Sequence, residues 1–130
     1  MLLKIVPLYA SLLVCLYLVL AFRTIRLRRI FRAAVGDQGQ MTLARAVRAH
    51  GNFAEYVPLA LLLLAFLELN GASGLLLHGL GVLLLAGRLF HSRAVSQPDE
   101  PIRLRVLGMA LTFTVLISAA VGNVLLVAGS

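Results

Sequence analysis

Four polar side chains follow one another at helical spacing in the second quarter of the chain: Arg45, Arg48, Asn52 and Glu55. Their offsets from the first, of three, seven and ten residues, place all of them on one face of an α-helix. A guanidinium, a carboxamide and a carboxylate in such a row match both charges of a zwitterionic ligand. The same row could instead be a structural seam, in which Glu55 pairs with an arginine of a neighbouring helix and fixes the packing.

Further cations lie near the ends of the other apolar segments: Arg26 and Arg29, Arg88 and His91, and Arg103 and Arg105. If these segments are helices that end at one membrane face, their cations converge around the carboxylate and amide of the second segment. Such a convergence indicates a small anionic ligand. The alternative is contact with lipid phosphates. We prefer that interpretation for four residues: Arg23, Arg28, Arg32 and Arg93.

The three histidines do not indicate a metal site. His50 is two residues from Arg48 and points to the opposite side of the helix, so we expect an interhelical contact. His78 lies far from the cations and is assigned no role. His91 has the better position, but no spacing of His, Cys and carboxylate residues matches a metal site. A phosphate-binding glycine-rich loop and a nucleophile elbow are also absent from the sequence.

The composition places these residues in a membrane protein. The chain has 130 residues, of which 61% are hydrophobic and 13% charged, whereas soluble domains have about 25% charged residues. A soluble protein of this size could not bury so much apolar surface, and disordered chains have the opposite composition. The net charge of +7 would suggest nucleic acid in a soluble chain. Because the basic residues cluster in two connections, we attribute the charge to the positive-inside rule and predict no nucleic-acid partner.

Hydropathy predicts an all-α integral membrane protein, a bundle of four transmembrane helices in one domain, 1–130. The predicted helices cover residues 5–35, 42–69, 75–95 and 101–127. The charge-free run at 5–22 has its arginines after it, as in a membrane anchor and unlike a cleaved signal peptide. The turn at 70–74 has no Lys or Arg, and all basic residues except Lys4 lie towards the other side. We therefore expect the N- and C-termini outside.

Four segments resemble motifs of the MAPEG family (membrane-associated proteins in eicosanoid and glutathione metabolism). They are residues 48–58 (RAHGNFAEYVP) for the second helix, 87–91 (GRLFH) for the third, 25–28 (IRLR) for the first and 101–103 (PIR) for the fourth. The likeness covers nearly the whole chain and is greatest to the short bacterial branch. It implies MAPEG-like subunits in a homotrimer of the bacterial inner membrane, with glutathione bound between subunits near the cytoplasmic face.

The resemblance also implies roles for single residues. Those that match the family's glutathione contacts are Arg26, Arg48, Asn52, Glu55 and His91, and Arg103 matches the arginine that faces the thiol. Arg26 would meet a carboxylate of glutathione and Glu55 its ammonium group. A guanidinium stays protonated when partly buried and favours the thiolate, which is the nucleophile. The implied activity is that of a glutathione-dependent transferase or peroxidase acting on lipophilic electrophiles, with glutathione as co-substrate and no metal. The implied partners are a lipophilic small molecule and the membrane lipids.

The fourth helix departs from the family pattern. Leu104 stands where the prostaglandin synthase has a serine, and Leu107, Gly108 and Leu111 occupy turns where several relatives have tyrosines. Gly51 replaces an arginine of some eicosanoid members. These departures argue against eicosanoid synthesis and leave an alternative open, a non-catalytic MAPEG-like protein that binds lipid or a membrane partner. The polar set on the first, second and fourth helices favours the enzyme, because lipid binding alone would not require it.

Overall fold

The computed structural model describes residues 2–129 and consists of four α-helices: α1 (Val6–Phe31), α2 (Met41–Leu69), α3 (Gly74–Ser96) and α4 (Ile102–Ala128). No strand occurs within this range. Each helix is long and apolar enough to cross a bilayer. The predicted all-α fold with four membrane-spanning helices is therefore confirmed. Four spans also place both ends of the chain on the same side of the membrane.

One predicted boundary differs from the structure. Helix α1 ends at Phe31, four residues before the predicted end at residue 35. The next residue, Arg32, has a left-handed φ of 50°, and its backbone N–H donates to the carbonyl oxygens of Arg28 and Arg29. A left-handed residue at this position ends a helix because it turns the chain away from the helix axis. The other helices begin and end within one residue of the predicted positions.

Helices α3 and α4 pack more closely than any other pair, and two glycines make this possible. A Cβ built on Gly87 would lie 2.9 Å from the carbonyl oxygen of Gly108. Small residues allow helix backbones to approach in this way inside a membrane. Helix α2 contacts all three other helices, whereas α1 and α4 do not approach each other. The bundle is therefore built around α2 and α3, with α1 and α4 more peripheral.

A carboxylate joins the ends of α1 and α2 at the outer end, where α1 begins and α2 ends. Glu68 accepts hydrogen bonds from the backbone N–H groups of Lys4 (2.6 Å), Ile5 (2.7 Å) and Val6 (2.8 Å). The first N–H groups of a helix have no partner within the helix. One buried side chain supplies the acceptor for Val6, the first residue of α1, and for the two residues that precede it, and it thereby connects the outer ends of α1 and α2.

Arginines hold the loop between α3 and α4 at the inner end, where α1 ends and α2 begins. Arg23 Nη2 donates to the carbonyl oxygen of Ser96 (3.3 Å), and Arg45 Nη1 donates to that of Gln97 (2.8 Å). Glu100 pairs with Arg45 (3.5 Å) and also with Arg105. These contacts connect the inner ends of all four helices. Arg45 therefore stabilises the loop between α3 and α4 and does not lie in a ligand-binding row with Arg48.

Candidate ligand-binding site

Arg88 is fully buried at the centre of a cluster that joins α2, α3 and α4. Its Nη2 lies 2.6 Å from Oδ1 of Asn52 and 3.1 Å from Nδ1 of His91. Its Nη1 lies 3.4 Å from Oγ1 of Thr112. We call Asn52, Arg88, His91 and Thr112 the polar cluster. No carboxylate pairs with Arg88 in the range 2–129, and its contacts are with neutral atoms, including the sulfur of Met109 at 3.8 Å from Nη1.

The position of Arg88 follows from the helical period of α3. The buried stripe of this helix includes Leu77, Leu80, Leu84, Arg88, His91 and Val95. These residues recur every three or four positions and therefore face the core of the bundle. The guanidinium carbon of Arg88 also lies 5.8 Å from the centroid of the Phe53 ring, which is within the range of a cation–π contact. By sequence alone Arg88 is one of the inner cations and is not a predicted site residue; its spacing from Leu84 and His91 was the signal that could have indicated its burial.

Arg48 and Glu55 form an exposed ion pair beside an open groove. Arg48 Nη1 lies 3.4 Å from Oε1 of Glu55, and about half of each side chain is exposed (55% and 53%). The groove has a volume of about 350 Å³, and its lining includes Asp37 and Gly51. It lies at the inner end and presents both signs of charge. The polar groups of this groove are therefore available to a ligand that carries both charges.

The prediction of one continuous row required Asn52 to lie on the same surface as Arg48 and Glu55. In the structure it does not. Only 4% of Asn52 is exposed, because it faces Arg88 in the core. Successive residues of a helix are about 100° apart, so Asn52 is displaced by about 60° from Glu55 around α2. That arc crosses the boundary between the open side of α2 and the side packed on α3. The predicted row is therefore divided between a groove and a buried cluster.

The two remaining predicted site residues, Arg26 and Arg103, are exposed and lie outside the cluster. Arg26 lines a groove of about 450 Å³ on α1 that also includes Arg29. Neither Arg26 nor Arg103 makes a hydrogen bond or ion pair within the described part of the chain. Because α1 and α4 do not contact each other, one subunit does not bring these two arginines together.

The histidines outside the cluster make interhelical contacts. The ring centroid of His50 lies 4.9 Å from that of Tyr17 in α1, as predicted for an interhelical residue. His78, for which the sequence suggested no role, lies at the outer end with Nδ1 3.0 Å from the hydroxyl of Tyr9. Between residues 2 and 129, no three His, Cys, Asp or Glu side chains converge as metal ligands would.

The fold and the polar cluster define a class of protein, a four-helix integral membrane protein with ionisable groups gathered towards one end of its bundle. The chain belongs to the MAPEG family, whose family model matches residues 6–125. It is 40% identical over 116 residues to the inner membrane protein YecN of Escherichia coli strain K12, which covers 89% of this chain and 87% of the relative. YecN of Escherichia coli O6:H1 is similar to the same extent. These findings confirm the predicted family and a multi-pass protein of the bacterial inner membrane.

Proposed function

We propose that the protein is a membrane-bound glutathione transferase or peroxidase that acts on lipophilic electrophiles. Glutathione binds at the cytoplasmic side, between the subunits of a homotrimer. The observation that carries the proposal is the groove beside Arg48 and Glu55, which offers both signs of charge at the inner end of the bundle. Membership of a family of glutathione and eicosanoid metabolism supports the same ligand class.

The chemistry of glutathione matches the groups at this groove. The tripeptide has two carboxylates, one ammonium group and one thiol. Arg48 would bind a carboxylate and Glu55 the ammonium group, in place of their mutual contact of 3.4 Å. An exposed ion pair of this kind contributes only about 0–1 kcal/mol, so its loss costs little. The ligand therefore exchanges one weak internal pair for two intermolecular ones.

Arg103 is the residue proposed to favour the thiolate of glutathione. It is exposed at the start of α4 and has no internal partner within residues 2–129. The thiolate sulfur attacks the electrophilic atom, a bond to sulfur forms, and the leaving group departs with the bonding electrons. A neighbouring guanidinium favours the thiolate, because it stabilises the negative charge on sulfur. Arg103 is thereby the catalytic residue of the proposal.

The lipophilic substrate would come from the bilayer. A groove of about 460 Å³ runs along α4, and its lining includes Ile102, Val106 and Phe113. These side chains face away from the packed core, where lipid or a neighbouring subunit would lie. Concentration of an apolar electrophile beside the bound thiol lowers the entropic cost of the reaction.

The placement of Arg26 and Arg103 supports a site shared between subunits. Since α1 and α4 do not contact each other within one chain, an interface between α1 of one subunit and α4 of the next is the arrangement that we propose to bring both arginines to the ligand. In the membrane-spanning windows of α1 and α4, only 22% and 17% of the residues are buried. These two helices therefore have the surface that a neighbouring subunit requires.

Thermal unfolding of the detergent-solubilised protein with and without millimolar glutathione tests this proposal. A ligand that binds only the folded state raises its stability by about 2.7 kcal/mol at a concentration of 100 times Kd. Arg48→Ala and Glu55→Ala should abolish the shift and leave the oligomer intact. Arg93→Ala is the matched control, because Arg93 is also exposed near the inner end but lies on α3 away from the groove. A shift that persists in both groove variants would contradict the site.

A non-catalytic binder is the second candidate function, and the composition of α4 favours it. Leu104 and Leu107 provide no hydroxyl beside Arg103, and the hydroxyl of Thr112 already donates to the carbonyl oxygen of Gly108 (2.9 Å). Conjugation of glutathione to 1-chloro-2,4-dinitrobenzene separates the two candidates. A rate above that of glutathione alone, lost in Arg103→Ala, supports the enzyme. Glutathione binding without turnover of several electrophiles and peroxides supports the binder.

A further inference from the structure

The hydrogen bonds of Arg88 determine which atoms of its neighbours act as donors. A guanidinium donates hydrogen bonds and accepts none. Oδ1 of Asn52 and Nδ1 of His91, at 2.6 and 3.1 Å from Nη2, are therefore both acceptors. An imidazole whose Nδ1 accepts must carry its proton on Nε2 when neutral. Arg88 thus fixes the orientation of one amide and the tautomer of one imidazole.

The opposite edges of these two side chains remain as donors. Asn52 Nδ2 and His91 Nε2 make no hydrogen bond within the part of the chain that the structure describes. Three side-chain atoms in the described residues are completely buried and have no hydrogen-bond partner: His50 Nε2, Arg88 Nε and Asn123 Oδ1. Asn52 Nδ2 and His91 Nε2 are not among these buried atoms. Two free N–H groups on adjacent helices are suited to hydrogen-bond acceptors of a ligand.

We propose that Arg88 is a positioning residue, which holds Asn52 and His91 with their free N–H groups towards the ligand and makes this part of the site selective for acceptor groups. The fitting acceptors on a peptide thiol are carboxylate, carbonyl and thiolate groups. This inference rests on the proposed function, since glutathione is the ligand that it addresses. Arg88 itself is fully buried and acts through its two neighbours.

If the polar cluster served only to stabilise the fold, the presence of an amide at position 52 would have no explanation. Buried cations are usually paired with carboxylates, because an unpaired charge is costly in a medium of low dielectric constant. An aspartate has nearly the same shape as Asn52 and would pair with Arg88 at the same position. It would also remove the N–H donors of residue 52. Asn52 is therefore neutral at a position where an aspartate would pair better with Arg88. An aspartate there would also repel an anionic ligand.

Asn52→Asp separates the two roles. We expect an unfolding temperature equal to or above that of the unmodified protein, because the new carboxylate pairs with Arg88. The glutathione Kd and KM should rise roughly tenfold or more, as expected for the loss of a hydrogen bond to a charged group. The kcat at saturating glutathione should change less. An Asn52→Asp protein that binds glutathione as tightly as the unmodified protein would overturn the proposal.

The tautomer of His91 provides a readout that does not involve glutathione. Nitrogen-15 spectra of histidine-labelled protein, with His91→Gln to assign the signals, should show the proton of His91 on Nε2. Arg88→Met, whose side chain has no N–H donor, should weaken this preference, and Arg88→Lys, which retains a donor, should restore part of it. A proton on Nδ1 in the unmodified protein would overturn the positioning role even if glutathione binds. If glutathione does not bind but the tautomer responds to Arg88, the proposed function is wrong and the positioning role remains.

Discussion

The carbonyl oxygen of Gly87 lies so close to Gly108 that a Cβ built on Gly108 would be 2.7 Å from it. The same Cβ would be 2.6 Å from the backbone nitrogen of His91. These neighbours are backbone atoms, which cannot move aside as the end of a flexible side chain can. Direct contact between the backbones of α3 and α4 therefore holds His91 and Thr112 of the polar cluster at a fixed separation.

Gly108→Ala should destabilise the protein because the added methyl group forces these backbones apart. Overpacking of this kind typically costs about 1–3 kcal/mol. Gly108 lies in α4; Gly79→Ala, in α3, is the control, since a Cβ there meets nothing within 4 Å. Alanine exceeds glycine in helix propensity, so the control should be neutral or more stable by up to about 1 kcal/mol. The measurement is denaturant unfolding in mixed micelles, and equal effects of both substitutions would contradict the contact.

Two glutamates of α2 should differ strongly in their contribution to stability. Glu68 is buried and accepts backbone hydrogen bonds from Val6, the first residue of α1, and from Lys4 and Ile5 before it, so Glu68→Ala leaves one buried and two part-buried N–H groups without this acceptor. The expected cost is about 1–3 kcal/mol for the buried group and less for the other two, which water can reach. Glu55→Ala removes only an exposed ion pair and should cost less than about 1 kcal/mol. Thermal unfolding without glutathione measures both effects, and a Glu55→Ala effect as large as that of Glu68→Ala would contradict the assigned roles.

Mixed oligomers test whether the site is shared between chains. Arg26→Ala and Arg103→Ala should each abolish the glutathione-dependent shift. Co-expression of the two variants with different affinity tags, followed by purification through both tags, yields oligomers that contain each of them. In such oligomers some interfaces combine an intact α1 with an intact α4, so part of the glutathione binding should return. Mixed oligomers that bind no more glutathione than the separate variants would place the site within one subunit.

Thiol labelling in intact cells tests the orientation of the bundle. Cys15 is first replaced by alanine, because it is the single cysteine of the chain and is exposed. Asn70→Cys, in the turn after α2, should react with a membrane-impermeant maleimide. Val35→Cys, in the exposed connection after α1, should react only after the membrane is opened. The opposite labelling pattern would place the arginine-rich end outside and contradict the orientation predicted from charge.

The sequence was sufficient to predict the helices because each contains an uninterrupted apolar run bounded by turn residues. The end of α1 was predicted less well, since 31–35 (FRAAV) has no helix-breaking residue. There the left-handed backbone of Arg32 ends the helix, and Arg28 Nη1 donates to the carbonyl oxygens of Ala33 (3.2 Å) and Gly36 (2.9 Å). A contact between a side chain and a later loop does not follow from local propensity.

The candidate site was predicted in part. Spacing was enough to place Arg48 and Glu55 together on α2, but it could not indicate where α3 covers that helix. Asn52 was therefore assigned to the same surface, although it lies in the core. Arg88 was not selected for a related reason: its place near the inner end of α3 grouped it with the cations expected to face a ligand, and spacing alone did not show that it is buried. Its burial depends on the close approach of α3 and α4, which is a tertiary property.

The hydrogen bonds of Glu68 also constrain the order of events during membrane insertion. The N–H groups of Lys4, Ile5 and Val6 obtain their acceptor from a residue more than sixty positions later in the chain. Before α2 is in place, these groups have no acceptor from Glu68, so water or headgroups at the membrane surface must supply one. The start of α1 therefore reaches its final hydrogen bonding only after the last turn of α2 has reached the same membrane surface. The first two spans thus become a stable unit together.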